Sequence, residues 1–146
     1  MPAIYGSSYS IVQGPNTVAI TYEMIHETRV ISLDSRPHVG QAIASYMGDA
    51  RGHFEGNTLV VETTNFKDQI AYRNANGATL RIVERFTPVG PDHIDYEVTI
   101  EDPKVFTRPW KISMILYRHK EKNLRLLEYE CYSFEGPEIY KPIHTP

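Results

Sequence analysis

The chain has 146 residues, a formal net charge of −3 and charged side chains at 23% of its positions. This length fits one domain over 1–146 with a core of its own. The small charge, with basic residues scattered among acids, excludes a strongly basic nucleic-acid binder and argues against an anionic membrane surface as partner. No apolar run is long enough to cross a bilayer. The expected partner is a small molecule, and a homo-oligomer is compatible with the composition.

Strand signals dominate the chain, because runs rich in Val, Ile, Thr, Tyr and Phe are separated by Gly, Pro, Asn and Asp. Gly56 and Asn57 mark the clearest hairpin, since both residues tolerate positive φ angles. Helix-like spacing occurs only at 39–46 and suffices for one or two turns. The segment 135–146 contains three prolines and is expected to be an extended strap. We predict strands at 9–13, 16–23, 27–33, 52–55, 58–64, 78–88, 92–101, 109–119 and 123–132.

Successive hairpins favour an antiparallel up-and-down meander, since consecutive strands usually neighbour each other. A sheet of this many strands tends to curl and close, which removes its exposed edges. The predicted fold class is therefore mainly β, a meander closing into a lipocalin- or calycin-like barrel with at most one short helix. A β-sandwich is the alternative.

Two predicted strands place a glutamate on the same face as apolar residues. Glu84 shares a face with Ile82 and Phe86, and Glu128 follows Leu124 and Leu126 on one side of its strand. A carboxylate on an apolar face is costly unless it is paired or protonated. A structural salt bridge with an arginine and a functional polar site both explain these positions, and Glu62 is a weaker third case.

The densest polar cluster lies at 23–38 and contains two histidines and two arginines. Histidine can act as a general base near neutral pH, and arginine can anchor an anionic oxygen. A turn at 34–37 explains its aspartate and proline but leaves His26 and His38 unexplained. We therefore expect this cluster to converge with Glu84 or Glu128 on one pocket, where burial would keep a carboxyl group protonated.

The sequence thus predicts a set of site residues and a chemistry without metal or cofactor. His26, His38, His53 and Glu55 lack the close spacing of a metal site, and no glycine-rich phosphate loop precedes a helix. Cys131, the only cysteine, is expected to be a buried structural thiol. The predicted catalytic residues are His26, His38 and Glu84, and the predicted substrate contacts are Arg29, Arg36, Glu62, Tyr96, Tyr117 and Glu128.

Two long motifs carry a resemblance to known sequences. Residues 29–38 read RVISLDSRPH, and residues 48–66 read GDARGHFEGNTLVVETTNF. They resemble a large group of bacterial proteins of uncharacterised function, many of them exported, with the patterns R-x-I-x-L-D-G-R-P-H and G-x-W-E-G-D-T-L-V-V-E-T. The similarity extends over about Tyr9 to Phe134, and this chain differs at Ser35, Phe54 and Asn57. The resemblance implies that the polar motif positions hold a site, and that the chain is the trimmed mature form of an exported protein. Residues 1–5 show no signal-peptide pattern, so a cytoplasmic chain is the alternative expectation.

Two functions are compatible with these features, and a third interpretation is an accessory domain whose pocket is filled by its own side chains. The first is a cofactor-independent acid–base enzyme of lyase, isomerase or hydratase type that acts on a small oxygenated or aromatic molecule. The second is a non-catalytic, lipocalin-type binding protein for a small hydrophobic ligand. The proximity of His26 and His38 to Arg29 and Arg36 favours the enzyme.

Overall fold

The computed structural model describes residues 8–67 and 75–127, and within them a single eight-stranded sheet curls into a half-barrel. The predicted mainly-β class is confirmed. The described part contains no α-helix, only a 3-10 turn at Met24–His26, and none of its helical segments is long and apolar enough to cross a membrane. The strands, in spatial as well as chain order, are β1 (Tyr9–Gln13), β2 (Thr17–Tyr22), β3 (Glu27–Ser32), β4 (Asp49–Glu55), β5 (Thr58–Thr64), β6 (Arg81–Pro88), β7 (His93–Glu101) and β8 (Trp110–Tyr117).

Eight of the predicted strands are present, with small shifts at their ends. The hairpin between β4 and β5 forms as predicted, with Glu55 paired to Thr58 and Gly56 at φ 62°. β6 begins three residues later than predicted, because Thr79 and Leu80 donate to the carbonyl oxygen of Asn76 and form a turn instead. The first half of the predicted strand at 123–132 is turn and coil. Its second half, the strap at 135–146 and Cys131 lie outside the described residues.

The predicted meander is wrong at one junction, between β3 and β4. These strands run parallel and share a single residue pair, Ser32 with Arg51, whereas every other neighbouring pair in the sheet is antiparallel. The cause is the connection 33–48, which carries the chain back along the sheet before β4 begins. A parallel neighbour requires such a long crossover, so a hairpin is excluded here.

The connection 33–48 is not helical, contrary to the expectation for 39–46. Asn65 explains this, because its side-chain amide donates to the carbonyl oxygens of Val39 at 2.8 Å and of Gly40 and Ile43 at 3.3 Å. Carbonyl groups bound in this way are not used by a helical ladder. One turn remains, closed by the bond from the Ile43 N–H to the Gly40 carbonyl.

The core lies on the concave side of the curled sheet. Alternate residues of each strand point to it, as in β2, where Val18, Ile20 and Tyr22 are buried and the residues between them are half-exposed. β6 and β7 show the same period of two. The buried apolar cluster consists of Val18, Ile20, Tyr22, Ile31, Ala50, Leu59, Val61, Phe66, Ala75, Leu80, Ile82, Phe86, Tyr96, Val98 and Ile100.

Gly48 precedes β4 in a conformation that only glycine adopts without strain. Its φ is 70°, and a Cβ there would lie 2.6 Å from the carbonyl oxygen of Thr64 and 2.7 Å from Cγ2 of Thr63. We expect Gly48→Ala to lower the free energy of unfolding by about 2–4 kcal/mol, from left-handed backbone strain together with the clash. Urea denaturation measures this. Gly90→Ala is the control, because nothing lies within 4 Å of its Cβ position; equal losses in both variants would contradict the prediction.

Candidate functional site

A buried ion pair joins two distant strands on the concave side. Arg29 of β3 and Glu84 of β6 have side-chain exposures of 2% and 1%, and Arg29 Nη2 lies 2.5 Å from Glu84 Oε2. Arg29 Nη2 also donates to Thr63 Oγ1 at 2.7 Å. The hydroxyl of Tyr96 donates to the other carboxylate oxygen, Oε1, at 2.7 Å. Both oxygens of Glu84 are therefore satisfied.

Glu84 is held as a carboxylate, which corrects the expectation that burial keeps it protonated. Burial alone would raise its pKa, but the charge of Arg29 and the hydrogen bonds from Arg29 and Tyr96 outweigh this and hold the pKa below its usual value. The same environment, with burial as the largest cause, raises the pKa of Tyr22 to about 12. Burial and the nearby charge of Glu84 raise the pKa of Tyr96 well above its ordinary range, so both phenols remain proton donors.

Arg29 is only partly satisfied. Its Nε and Nη1 atoms are buried and have no hydrogen-bond partner among the described residues. These atoms carry three N–H bonds, and each buried donor without an acceptor costs about 1–3 kcal/mol. The hydroxyl of Tyr22 lies beside this guanidinium, since the interaction between the two groups contributes to the pKa of both.

His38 lies on the opposite, outer side of the sheet between two carboxylates. Its Nδ1 is 2.8 Å from Asp49 Oδ2, and its Nε2 is 3.5 Å from Glu62 Oε1. Asp49 is fixed in turn by the Val39 N–H at 3.1 Å and by Arg51 Nε at 3.1 Å. Because Asp49 accepts from Nδ1, a neutral His38 carries its lone pair on Nε2.

Strand alternation separates the two groups. In β5, Glu62 points to the outer face, where Arg81 binds it at 2.6 Å, and the next residue, Thr63, points inward to Arg29. The predicted convergence of His38 with Glu84 on one pocket is therefore wrong. The structure brings together Arg29, Glu84 and Tyr96 on the inside, and His38 with Glu62 on the outside.

The remaining predicted site residues lie apart from both groups. His26 is exposed in the 3-10 turn at φ 51°. Arg36 is 73% exposed and pairs with Asp34 two residues earlier. Tyr117 is 68% exposed, and Glu128 lies outside the described residues.

A large open cleft lies between the first and last strands of the sheet, with a volume of about 1470 Å³. Its lining residues come from four parts of the chain: β1 with Ser8, Thr21 of β2, the end of β6 through the start of β7, and the segment from the end of β8 onward. They are Ser8, Tyr9, Ser10, Ile11, Thr21, Pro88, Gly90, Pro91, Asp92, His93, Ile94, Ile115, Leu116, Tyr117, Arg118, His119, Lys120, Glu121, Leu124, Arg125 and Leu126. The wall of the cleft is continuous with the core, because the ring of Tyr9 packs edge-on against that of Tyr22 with ring centroids 5.4 Å apart.

Cations outnumber anions around the cleft, with three basic side chains against two carboxylates if histidine is neutral. Lys120 forms an ion pair with Asp92, with Nζ 2.5 Å from Oδ2. The hydrogen bond from Lys120 holds the pKa of Asp92 below its usual range, and the positive charge of Arg118 contributes in the same direction. Arg125 has no carboxylate or hydrogen-bond partner within residues 8–67 and 75–127. The cleft therefore favours an anionic group on a ligand.

A hydrogen-bonded row of three side chains crosses one end of the cleft. Ser8 Oγ lies 3.4 Å from His119 Nε2, and His119 Nδ1 lies 3.3 Å from Glu121 Oε2. Hydrogen bonds, foremost from its own main-chain N–H, hold the pKa of Glu121 below its usual range. The sequence could not reveal this group, because Ser8 and His119 are separated by 111 positions.

The described residues contain no group of three His, Cys, Asp or Glu side chains arranged to hold a metal ion. His53 and Glu55, candidate metal ligands in the sequence, form a pair on β4 with Nε2 and Oε1 3.3 Å apart. The fold and the cleft together define a β half-barrel with an open, ligand-sized cavity. Family models, curated proteins and solved structures give no match to this chain.

The buried pair predicts a strongly asymmetric response to substitution. Arg29→Met leaves the Glu84 carboxylate without its partner, and we expect a loss of about 3–5 kcal/mol in the free energy of unfolding. The double variant Arg29→Met/Glu84→Leu removes both charges and is expected to recover most of that loss. Urea denaturation tests both variants.

Lys111→Met is the matched control, because Lys111 pairs with Glu97 at 2.8 Å but is 61% exposed. Its effect should stay within about 0.5 kcal/mol. If the double variant is as unstable as Arg29→Met alone, the unpaired charge of Glu84 is not the cause of the lost stability, and the prediction is wrong.

Proposed function

We propose that this protein binds a small amphipathic molecule with an acidic group in the cleft between β1 and β8. The observation that carries this proposal is the combination of an apolar wall and an excess of cations in one cavity of about 1470 Å³. A mostly apolar cavity with a few convergent polar groups is the usual form of a small-molecule site, and this one is large enough for an extended ligand.

The walls of the cleft differ in character, and this difference supports an amphipathic ligand. Tyr9, Ile94 and Leu116 belong to the apolar layer that packs against the core. Arg118 and Arg125 line the same cavity. The nearby carboxylate of Asp92 is paired with Lys120. An apolar body against the first group and a carboxylate or sulfonate near the second satisfies both surfaces.

The predicted closure of the sheet into a lipocalin-like barrel is part of the same proposal. Residues adjoining both edge strands line one cavity, and Ser8 and His119 approach within 3.4 Å across it. A bound ligand would fill the remaining space between the edges, as it does within a barrel.

Fluorescence titration with anilinonaphthalene sulfonate tests the proposal, since this probe has an aromatic body and one anionic group. We expect saturable binding that weakens by up to about fivefold in Arg118→Gln and in Arg125→Gln, as for the loss of an exposed ionic contact of up to about 1 kcal/mol. Added salt should weaken binding to the wild type more than to either variant.

Lys122→Gln is the control, because Lys122 carries the same charge in the same segment but does not line the cleft. The uncharged analogue phenylnaphthylamine should bind all four proteins alike. Equal weakening by Arg118→Gln and Lys122→Gln would point to overall charge and contradict a site at the cleft.

A second candidate, the acid–base enzyme, is favoured by a specific arrangement on the outer face. His38 is oriented by Asp49 through Nδ1, and its Nε2 faces Glu62 at 3.5 Å. An imidazole fixed in one tautomer by a carboxylate is the usual form of a general base. Its half-exposed position leaves Nε2 within reach of a small carbonyl compound.

Hydrogen–deuterium exchange at carbon next to the carbonyl of small keto acids, followed by NMR, tests this second function. Wild-type protein should accelerate exchange, and His38→Asn should lose about 10²–10⁴-fold of that acceleration. His53→Asn is the control, since His53 also faces a carboxylate but is 63% exposed. Exchange that persists in His38→Asn would exclude His38 as the base.

A further inference from the structure

We propose that Ser8, His119 and Glu121 form a nucleophile–base–carboxylate group that hydrolyses esters of small acids in the cleft. This inference rests on the proposed binding role of the cleft and names the chemistry that would take place there. Neither the sequence pattern nor the buried pair points to these residues.

The order of contacts is that of a hydrolytic triad. The imidazole of His119 stands between a serine hydroxyl and a glutamate, with Ser8 Oγ on Nε2 at 3.4 Å and Glu121 Oε2 on Nδ1 at 3.3 Å. A carboxylate that accepts from Nδ1 fixes the tautomer, so Nε2 is free to accept the serine proton. Both distances exceed those of a tight hydrogen bond, as is common when no substrate is bound.

The main chain holds the ends of this group in place. The carbonyl of Ser8 accepts from the Glu23 N–H at 3.1 Å, which ties the start of β1 to the end of β2. On the other side, the Arg118 N–H donates to the Asp92 carbonyl at 2.8 Å, one residue before His119. The serine and the histidine thus belong to separately anchored segments that meet across the cleft.

The second histidine of the cleft provides an internal contrast. His93 packs edge-on against Tyr117, with ring centroids 5.1 Å apart. None of the hydrogen bonds within the described residues links it to a serine, whereas His119 has both partners. The geometry therefore selects His119 as the base.

The reaction balances without a metal or cofactor. Ser8 Oγ attacks the ester carbonyl carbon and its proton passes to His119 Nε2; the ester C–O bond then breaks, and the alcohol leaves with that proton. Water attacks the acyl-serine, gives a proton to Nε2, and Ser8 Oγ leaves and takes that proton back. The product is a carboxylic acid, which ionises and for which Arg118 and Arg125 provide complementary charge.

Covalent labelling with a fluorophosphonate, followed by peptide mass spectrometry, tests the nucleophile directly. We expect wild-type protein to be labelled at Ser8 and to hydrolyse p-nitrophenyl esters of short fatty acids. Ser8→Ala should abolish both, and His119→Ala should reduce the rate by about 10²–10⁴-fold. Ser113→Ala and His53→Ala are the controls, since both residues are exposed and lie outside the cleft lining, and they should react as the wild type does.

Glu121 is a positioning residue, so its test needs a readout that a structural role would not move. Glu121→Gln should lower kcat with little change in KM, and Glu121→Asp should restore part of it. Labelling of Ser8→Ala at the wild-type rate, or undiminished hydrolysis by His119→Ala, would overturn the triad.

Binding of anilinonaphthalene sulfonate separates this inference from the function on which it rests. Ser8→Ala removes only one hydroxyl from the cleft, so its affinity for the probe should change far less than its rate of ester hydrolysis. Probe binding by a wild-type protein that shows neither labelling nor ester hydrolysis would overturn the triad and leave the binding function intact. Absence of binding and of reaction would overturn both.

Discussion

Arg29 and Glu84 meet at 2.5 Å although their strands, β3 and β6, are separated by two others in the sheet. In a flat sheet three strand intervals amount to about 14 Å, so contact at this distance requires the sheet to bend. The pair is also costly, because two charges are removed from water among apolar side chains. Curvature, pairing and the supporting contacts from Tyr96 and Thr63 therefore depend on one another, and the concave side is organised around them.

The outer face of the sheet differs from the concave side, because its charged residues are paired across neighbouring strands and remain partly exposed to water. Arg51 lies opposite Glu62 in the register of β4 and β5, and Arg81 lies opposite Glu101 in that of β6 and β7. Opposite charges in such cross-strand positions stabilise a sheet modestly. His38 is held within this surface by Asp49 and Glu62, so its chemistry is separated from that of the interior by the thickness of the sheet.

Much of the fold could be predicted from local pattern, and much of the site could not. Alternation in 78–88 correctly turned Glu84 toward the apolar side, and Gly56 correctly marked a hairpin. The connection 33–48 was misjudged because the side chain of Asn65, a distant residue, captures its carbonyl groups. Such a contact leaves no trace in periodicity.

The grouping of polar residues failed for a related reason. Residues 26–38 are close in sequence, but a strand, a turn and a crossover distribute them over both faces of the sheet and into solvent. Conversely, Ser8 and His119 come together only because the first and last strands approach after the sheet has curled. Proximity along the chain is a poor guide to a site in a curled sheet whose two edge strands line one cleft.

The single residue pair between β3 and β4 has a mechanical consequence. Ser32 with Arg51 is the whole ladder at this seam, whereas β4 and β5 share seven pairs. Cooperative opening of a protein follows its weakest boundaries, so β1–β3 can separate from β4–β8 with the loss of little main-chain bonding. The buried contact from Arg29 to Glu84 crosses that seam from one part to the other. It therefore joins the two parts of the sheet by side chains at the place where the backbone contributes a single residue pair, and the walls of the cleft are drawn from both of those parts.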